Sequence, residues 1–137
     1  MWANDTLRQM QSNPPWTGWV SEEIRAEYEA QGWKQVADNY QLPQTSEEIQ
    51  FQIKQQMTNF VQSILDAEAQ KHNYDNIVSA TSYAGYPNQF QAEGIAFGVW
   101  RSAVWVKCYE IMNDVLDGKR QVPTEEQLLS ELPKLTL

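Results

Sequence analysis

The sequence predicts a mostly α-helical fold, in which two long antiparallel helices are accompanied by short flanking helices. Apolar residues recur at helical spacing over residues 45–71 and 89–117. Helix start and stop signals bracket both segments, whereas strand signals are weak throughout. We therefore expect a tryptophan-rich, irregular N-terminal arm over residues 1–44, with room for a small β element. Residues 45–137 are expected to form a helical domain.

Composition and charge limit the classes of partner. The formal net charge is −8 and the pI is near 4.5, which argues against nucleic acid and anionic membranes, because both require a basic surface. No apolar run reaches the roughly 18 residues of a membrane span. A single cysteine excludes an internal disulfide, and the N-terminal residues lack the layout of a signal peptide. The sequence thus predicts a protein made in the cytosol.

The arm is expected to be extended at Pro14-Pro15 and helical after Ser21, which can cap a helix that ends at Gly32. Residues 33–44 have no clear period and are predicted to connect the two parts. The arm also contains four tryptophans: Trp2, Trp16, Trp19 and Trp33. These indoles either anchor the arm on its own core or form a binding surface, since tryptophan is enriched at interface hot spots. We predict that all four bind a partner.

Helix signals divide the second part of the chain. Thr45 and Glu48 have capping-box spacing at the start of the first long helix. Its predicted apolar arc consists of Ile49, Ile53, Met57, Phe60, Ile64 and Ala67, widened by Val61 and Leu65. Later helix boundaries are predicted at Asp75 and Asn88 as caps, at Asp117-Gly118 as a left-handed stop, and around a last short helix from Thr124 to Pro133.

The second long helix is the most informative segment. One side forms an apolar stripe that should face the core: Phe97, Trp100, Val104, Cys108, Ile111 and Val115. The opposite side is polar near the C-terminal end but apolar further up, at Ile95, Ala96, Val99, Ala103 and Val106. An apolar surface on both sides needs a cover from elsewhere in the chain or from another protein. We predict that Ile95 and Val99 bind a partner.

Small residues on a third side of this helix predict a close backbone approach. Gly94 and Gly98 share that side with Arg101 and Trp105, and we assign all four a structural role. Three environments are open to Arg101. It forms an ion pair with a carboxylate of another segment, lays its stem over Trp105 and reaches water, or contacts a partner directly. The structural ion pair is the expected one.

No pattern of catalytic or metal-binding residues is present. The only histidine, His72, lies at a helix end, and Cys108 lies on the apolar stripe. The chain contains no phosphate-binding glycine loop, zinc-protease motif or nucleophile elbow. The sequence therefore predicts a protein that is not an enzyme and that has neither a cofactor nor a metal.

A resemblance supplies the biological context. Over roughly residues 49–135 the chain resembles small tailed-phage proteins that are commonly encoded next to tail-fibre genes and are similar to tail-fibre assembly proteins. The matching runs are Tyr74-Asp75-Asn76-Ile77, Ala80-Thr81-Ser82-Tyr83-Ala84, Phe90-Gln91-Ala92-Glu93-Gly94, Trp100-Arg101-Ser102-Ala103-Val104-Trp105, Pro123-Thr124-Glu125-Glu126 and Glu131-Leu132-Pro133. The most specific are Ala92-Glu93-Gly94, Trp100-Arg101 and Trp105.

The resemblance implies a non-enzymatic partner of a trimeric tail fibre that acts on the fibre's C-terminal end. We expect a tail-fibre assembly chaperone or a fibre-bound cap, which works in the host cytoplasm during assembly and either leaves or stays in the virion tail. The alternative is a permanent adaptor in the tail or baseplate with no chaperone role. A third class is an enzyme acting on the host surface. Self-association is a further option for the apolar surface.

Overall fold

The computed structural model describes residues 1–16 and 20–137, and these form two compact units. The first unit spans Met1–Thr45 and the second spans Ser46–Leu137. The boundary lies one residue from the position expected from the sequence. Each unit has its own buried residues and is described separately.

The first unit contains a small antiparallel sheet and one helix. Strands β1 (Trp2–Asn4), β2 (Gln9–Gln11) and β3 (Trp33–Gln35) are arranged in the order β2-β1-β3. Helix α1 (Glu22–Ala30) precedes β3 in the chain. The central strand is buried along its whole length, which is why it carries Trp2 and Ala3. The sheet is the small β element for which the sequence analysis left room. The prediction of a connecting segment at residues 33–35 is wrong, because these residues form β3.

Asn4 connects the first strand to the turn between α1 and β3. Its fully buried side chain donates from Nδ2 to the Gln31 carbonyl at 2.9 Å and accepts from the Leu7 backbone N–H at 3.1 Å. Gly32, next to Gln31, has a φ of +99°, a left-handed conformation that glycine adopts without strain. As predicted, Ser21 caps α1, and the chain turns at Gly32 into β3.

The second unit is entirely helical in its regular structure. Its long helices are α2 (Ser46–Lys71) and α4 (Gln91–Leu116), and its short ones are α3 (Ile77–Ser82), a 3-10 turn (Tyr83–Gly85) and α5 (Glu125–Glu131). His72, just after α2, packs its ring on Phe97 near the start of α4, so the long helices run antiparallel. The prediction of a mostly α fold with two long helices is confirmed.

The core of the second unit lies between the long helices. From α4 it takes the predicted stripe, since Phe97, Trp100, Val104, Cys108 and Ile111 are buried. From α2 it takes a line four residues apart, consisting of Met57, Val61, Leu65 and Ala69, and this line is rotated from the predicted arc. The short helix α5 and the following residues add Leu128 and Leu132. The Trp100 indole donates to the Pro133 carbonyl at 2.9 Å, which fixes the C-terminal segment on the core.

Two predicted helix caps are corrected. Asn76 rather than Asp75 caps α3, through a 2.8 Å bond from the Ser79 N–H to its side chain. Asn88 lies before the start of α4 and accepts from the Phe90 N–H, so that helix begins at Gln91 without a side-chain cap. The left-handed stop is confirmed at Gly118, whose φ is +74°.

Candidate interaction surface

Helix α4 presents an apolar strip of exposed side chains in the second unit, here called the α4 strip: Ala92, Ile95, Val99, Ala103 and Val106. Ile95, Val99 and Val106 are 50%, 67% and 59% exposed. Their helical positions lie opposite the stripe that packs on α2, so no other part of the second unit reaches them. The sequence expectation that the chain does not cover Ile95 and Val99 agrees with the structure, whereas their role in binding remains a prediction.

The arm tryptophans do not form one exposed surface. Trp2 and Trp33 are only 7% and 6% exposed, and they belong to the core of the first unit. Trp16 is half-buried and packs edge-on against Trp2, with ring centroids 4.8 Å apart. Arg25 covers these rings, since its guanidinium carbon lies 5.7 Å from the Trp2 ring centroid and 6.0 Å from that of Trp16. Trp19, the fourth predicted contact, lies outside the described residues.

We therefore correct the predicted binding role of Trp2 and Trp33. Their indoles form the hydrophobic core of a unit of only 45 residues, in which the other buried residues that the structure describes are Ala3 and Asn4. Of the arm tryptophans that the structure describes, only Trp16 keeps a partly accessible ring.

The two glycines of α4 differ in their surroundings. A Cβ at Gly94 would lie 2.7 Å from the Ala84 nitrogen and 3.1 Å from the Ala80 carbonyl oxygen, so the backbone of α3 and the 3-10 turn packs directly on α4. A Cβ at Gly98 would meet nothing within 4 Å. A close backbone approach is thus present at Gly94, whereas the described residues make no such approach at Gly98, where we predicted one.

Arg101 has a different environment from the predicted one. Among the residues that the structure describes, no carboxylate lies within ion-pairing distance of its guanidinium, so the expected structural ion pair is wrong. Arg101 instead lines a shallow depression of about 480 Å³ together with Gln62, Ser102, Trp105 and Tyr109. We call these five residues the Arg101 patch. Trp105 and Tyr109 stack in it, with ring centroids 5.8 Å apart and an interplanar angle of 29°.

Sequence reasoning missed Tyr109 and Gln62 as members of this patch. Tyr109 follows Trp105 by four residues, a spacing that places both rings on one side of a helix, so its signal was present in the sequence. Gln62 comes from α2 and could be found only once the register of the two helices was known.

The side chains with potential chemistry have structural surroundings. The Cys108 thiol is fully buried, and this burial raises its pKa. His72 lies 3.6 Å from a Glu68 carboxylate oxygen and packs on Phe97. Within residues 1–16 and 20–137, no three His, Cys, Asp or Glu side chains are grouped as metal ligands. In the same ranges, no helix is both long and apolar enough to cross a membrane.

Comparisons with known proteins leave the family of this chain open. No protein-family model matches it, and no characterised protein or solved structure gives a significant match.

Proposed function

We propose that this chain is a tail-fibre assembly chaperone or a fibre-bound cap of a tailed phage, and that it acts by covering apolar surface on the fibre without catalysing a reaction. Two observations support the proposal. One is the resemblance of residues 49–135 to small proteins associated with tail fibres. The other, which carries the physical argument, is the exposed α4 strip at Ile95, Val99 and Val106.

A fibre subunit that has not yet formed its trimer exposes apolar surface and unpaired strand edges, and both favour aggregation. The α4 strip offers an apolar surface of its own on a rigid helix. The net charge of −8 limits aggregation of the resulting complex through mutual repulsion. A transient cover that leaves as the trimer forms requires complementary surfaces and no catalytic step.

The strength of the contact can be bounded from its area. Covering a half-exposed aliphatic side chain contributes roughly 1 kcal/mol, about half of the value for complete burial. Three such side chains contribute on the order of 3 kcal/mol, which does not offset the entropy lost on association. The strip therefore suits a reversible contact, and a specific complex needs additional contacts beside it.

Co-expression with the tail-fibre subunit of the same phage tests the proposal. We expect soluble fibre trimers with the wild-type chain and several-fold fewer with Val99→Asp, because a carboxylate in the strip resists burial. Leu129→Asp is the matched control: Leu129 is 51% exposed on α5, beside Trp100 and therefore away from the strip. Circular dichroism shows whether both variants keep their helical content.

Equal trimer yield with and without the wild-type chain would contradict a chaperone role. If the chain then also co-purifies with finished particles, it is instead a permanent adaptor of the tail or baseplate. Equal yields from the Val99 and Leu129 variants would remove the α4 strip from the contact surface.

A further inference from the structure

The Arg101 patch lies in the groove between α2 and α4, one end of which is filled by helix α3. At this end, the Ile77 N–H of α3 donates to Asp66 of α2 at 3.0 Å. The backbone of α3 also packs directly on α4 at Gly94, which has no side chain in the way. Gln62 of α2 donates to the same Asp66 carboxylate at 3.2 Å. One turn further along both helices the groove is open, and Gln62 faces Arg101 across it.

Within residues 1–16 and 20–137, Arg101 has no polar partner, whereas Arg8, Arg25 and Arg120 each have one. Arg8 donates to the Pro43 carbonyl at 2.8 Å, Arg25 pairs with Glu29 at 3.1 Å, and Arg120 makes a two-pronged pair with Glu131 at 3.0 Å. In the described part of the chain, no acceptor lies within hydrogen-bond distance of the Arg101 guanidinium. This is notable because acidic residues outnumber basic ones 18 to 10.

The neighbours of Arg101 make the site suited to a carboxylate. A guanidinium presents paired N–H donors that match the two oxygens of a carboxylate. The stacked rings of Trp105 and Tyr109 form an apolar wall beside it, on which the apolar neighbours of such a carboxylate can pack. Tryptophan, tyrosine and arginine are also the residue types that dominate binding energies at protein interfaces.

We infer that the Arg101 patch is a docking site for a short apolar segment of the partner protein that carries one Asp or Glu side chain, whose carboxylate pairs with Arg101. Because the patch is a shallow, open depression lined by side chains of two helices, we take the acid to be a side chain of a passing segment and not a chain terminus. Because the chain has a net charge of −8, a segment with several acids would be repelled, which favours a single acid among apolar residues. The inference rests on the proposed function in taking the tail-fibre subunit as the partner.

Capped peptides test this pairing directly. Overlapping peptides of the fibre subunit, acetylated and amidated so that they carry no terminal carboxylate, are titrated into the full-length chain. We expect binding of peptides with one Asp or Glu between apolar residues, and an affinity at least about tenfold lower for Arg101→Gln. Arg101→Lys should lose less affinity, because lysine keeps the positive charge but lacks the paired N–H donors of the guanidinium. Lys134→Gln, which removes one positive charge from a different cleft, is the control and should bind like the wild type.

A double-mutant cycle separates a direct pair from an indirect effect. Replacing the peptide's acid by its amide should weaken binding to the wild-type chain but cause no further loss with Arg101→Gln. Equal affinities of wild type and Arg101→Gln for the peptides would overturn the inference, as would binding only of peptides with a free C-terminal carboxylate. If the wild-type chain still promotes fibre trimers, the proposed function survives that result. A wild-type chain that binds neither peptides nor the intact fibre subunit would overturn both.

Discussion

The Ala84 backbone nitrogen lies 2.7 Å from the position that a Cβ on Gly94 would occupy. Real side chains essentially never approach another atom so closely, and the obstructing atom belongs to a backbone that cannot rotate away. The crossing of the 3-10 turn over α4 therefore depends on glycine at position 94. This crossing also fills one end of the groove in which the Arg101 patch lies.

Gly94→Ala should destabilise the protein by about 1–3 kcal/mol, because the added methyl group forces the 3-10 turn away from α4. Gly98→Ala is the matched control in the same helix. It meets open space and should leave stability unchanged or raise it by up to about 1 kcal/mol, since alanine favours the helix. Urea unfolding followed by circular dichroism measures both changes. An equal effect of the two substitutions would contradict the close crossing.

Asn4→Ala should cost about 1–3 kcal/mol in the first unit, because it leaves the Gln31 carbonyl and the Leu7 N–H without their partner. Hydrogen exchange of the Leu7 amide, measured by NMR, should become faster in the variant. Asn39→Ala removes the same side chain from an exposed position and should change stability by less than about 0.5 kcal/mol. Unchanged exchange at Leu7 would show that Asn4 does not hold this turn.

Tyr74 should titrate at an unusually high pH. Burial, as the larger cause, and the 2.6 Å hydrogen bond that its hydroxyl donates to Glu93 together raise its pKa from 10.0 to about 12. A raised pKa means that the folded protein holds the proton more tightly than the unfolded chain. The stability that this adds is complete below pH 10.0 and is lost as the pH rises towards about 12.

Ultraviolet absorbance of tyrosinate, followed against pH, measures this titration. Tyr74→Phe should remove the highest-pH step from the curve. Glu93→Gln should lower the pKa of Tyr74 only in part, because burial is the larger cause and remains. A Tyr74→Phe curve that keeps its highest step would contradict the assignment.

Cys108 should resist thiol reagents in the native protein. It is fully buried, and the raised pKa of its thiol lowers the fraction of reactive thiolate at neutral pH. Labelling with a chromogenic disulfide should therefore be slow in buffer, accelerate with urea and be rapid after unfolding in guanidinium chloride. Rapid, complete labelling in buffer alone would show that the helix pair opens far more readily than its packing implies.

Long-range regularities made part of the fold predictable. Helices α2 and α4 each repeat the apolar spacing for many turns, and local signals at Ser21, Gly118 and Thr124 predicted the start of α1, the end of α4 and the start of α5. The sequence does not predict the sheet itself, because each strand has only three residues, too few for an alternation of apolar and polar residues to be visible. The pairing of Trp2 with Gln35 also joins residues far apart in the chain.

The candidate site was predictable to a similar degree. Exposure of Ile95 and Val99 followed from helical geometry, because the stripe facing α2 fixes which side is left over. The environment of Arg101 could not be predicted in this way, because it depends on which α2 residue faces it. That residue is Gln62 and not an acid. Composition likewise could not separate Trp2 and Trp33, which are buried, from Trp16, which is partly accessible.

The α4 strip has a consequence for how the protein behaves at different ionic strengths. Repulsion between copies of net charge −8 acts over the Debye length, which is about 30 Å at 0.01 M salt and about 8 Å at physiological ionic strength. In buffer of low ionic strength this repulsion keeps the copies apart, although each carries the apolar α4 strip. Added salt shortens the range of that repulsion but does not weaken the hydrophobic attraction between the α4 strips of two copies. The ionic strength of the buffer therefore decides how readily the apolar strips of two copies come into contact.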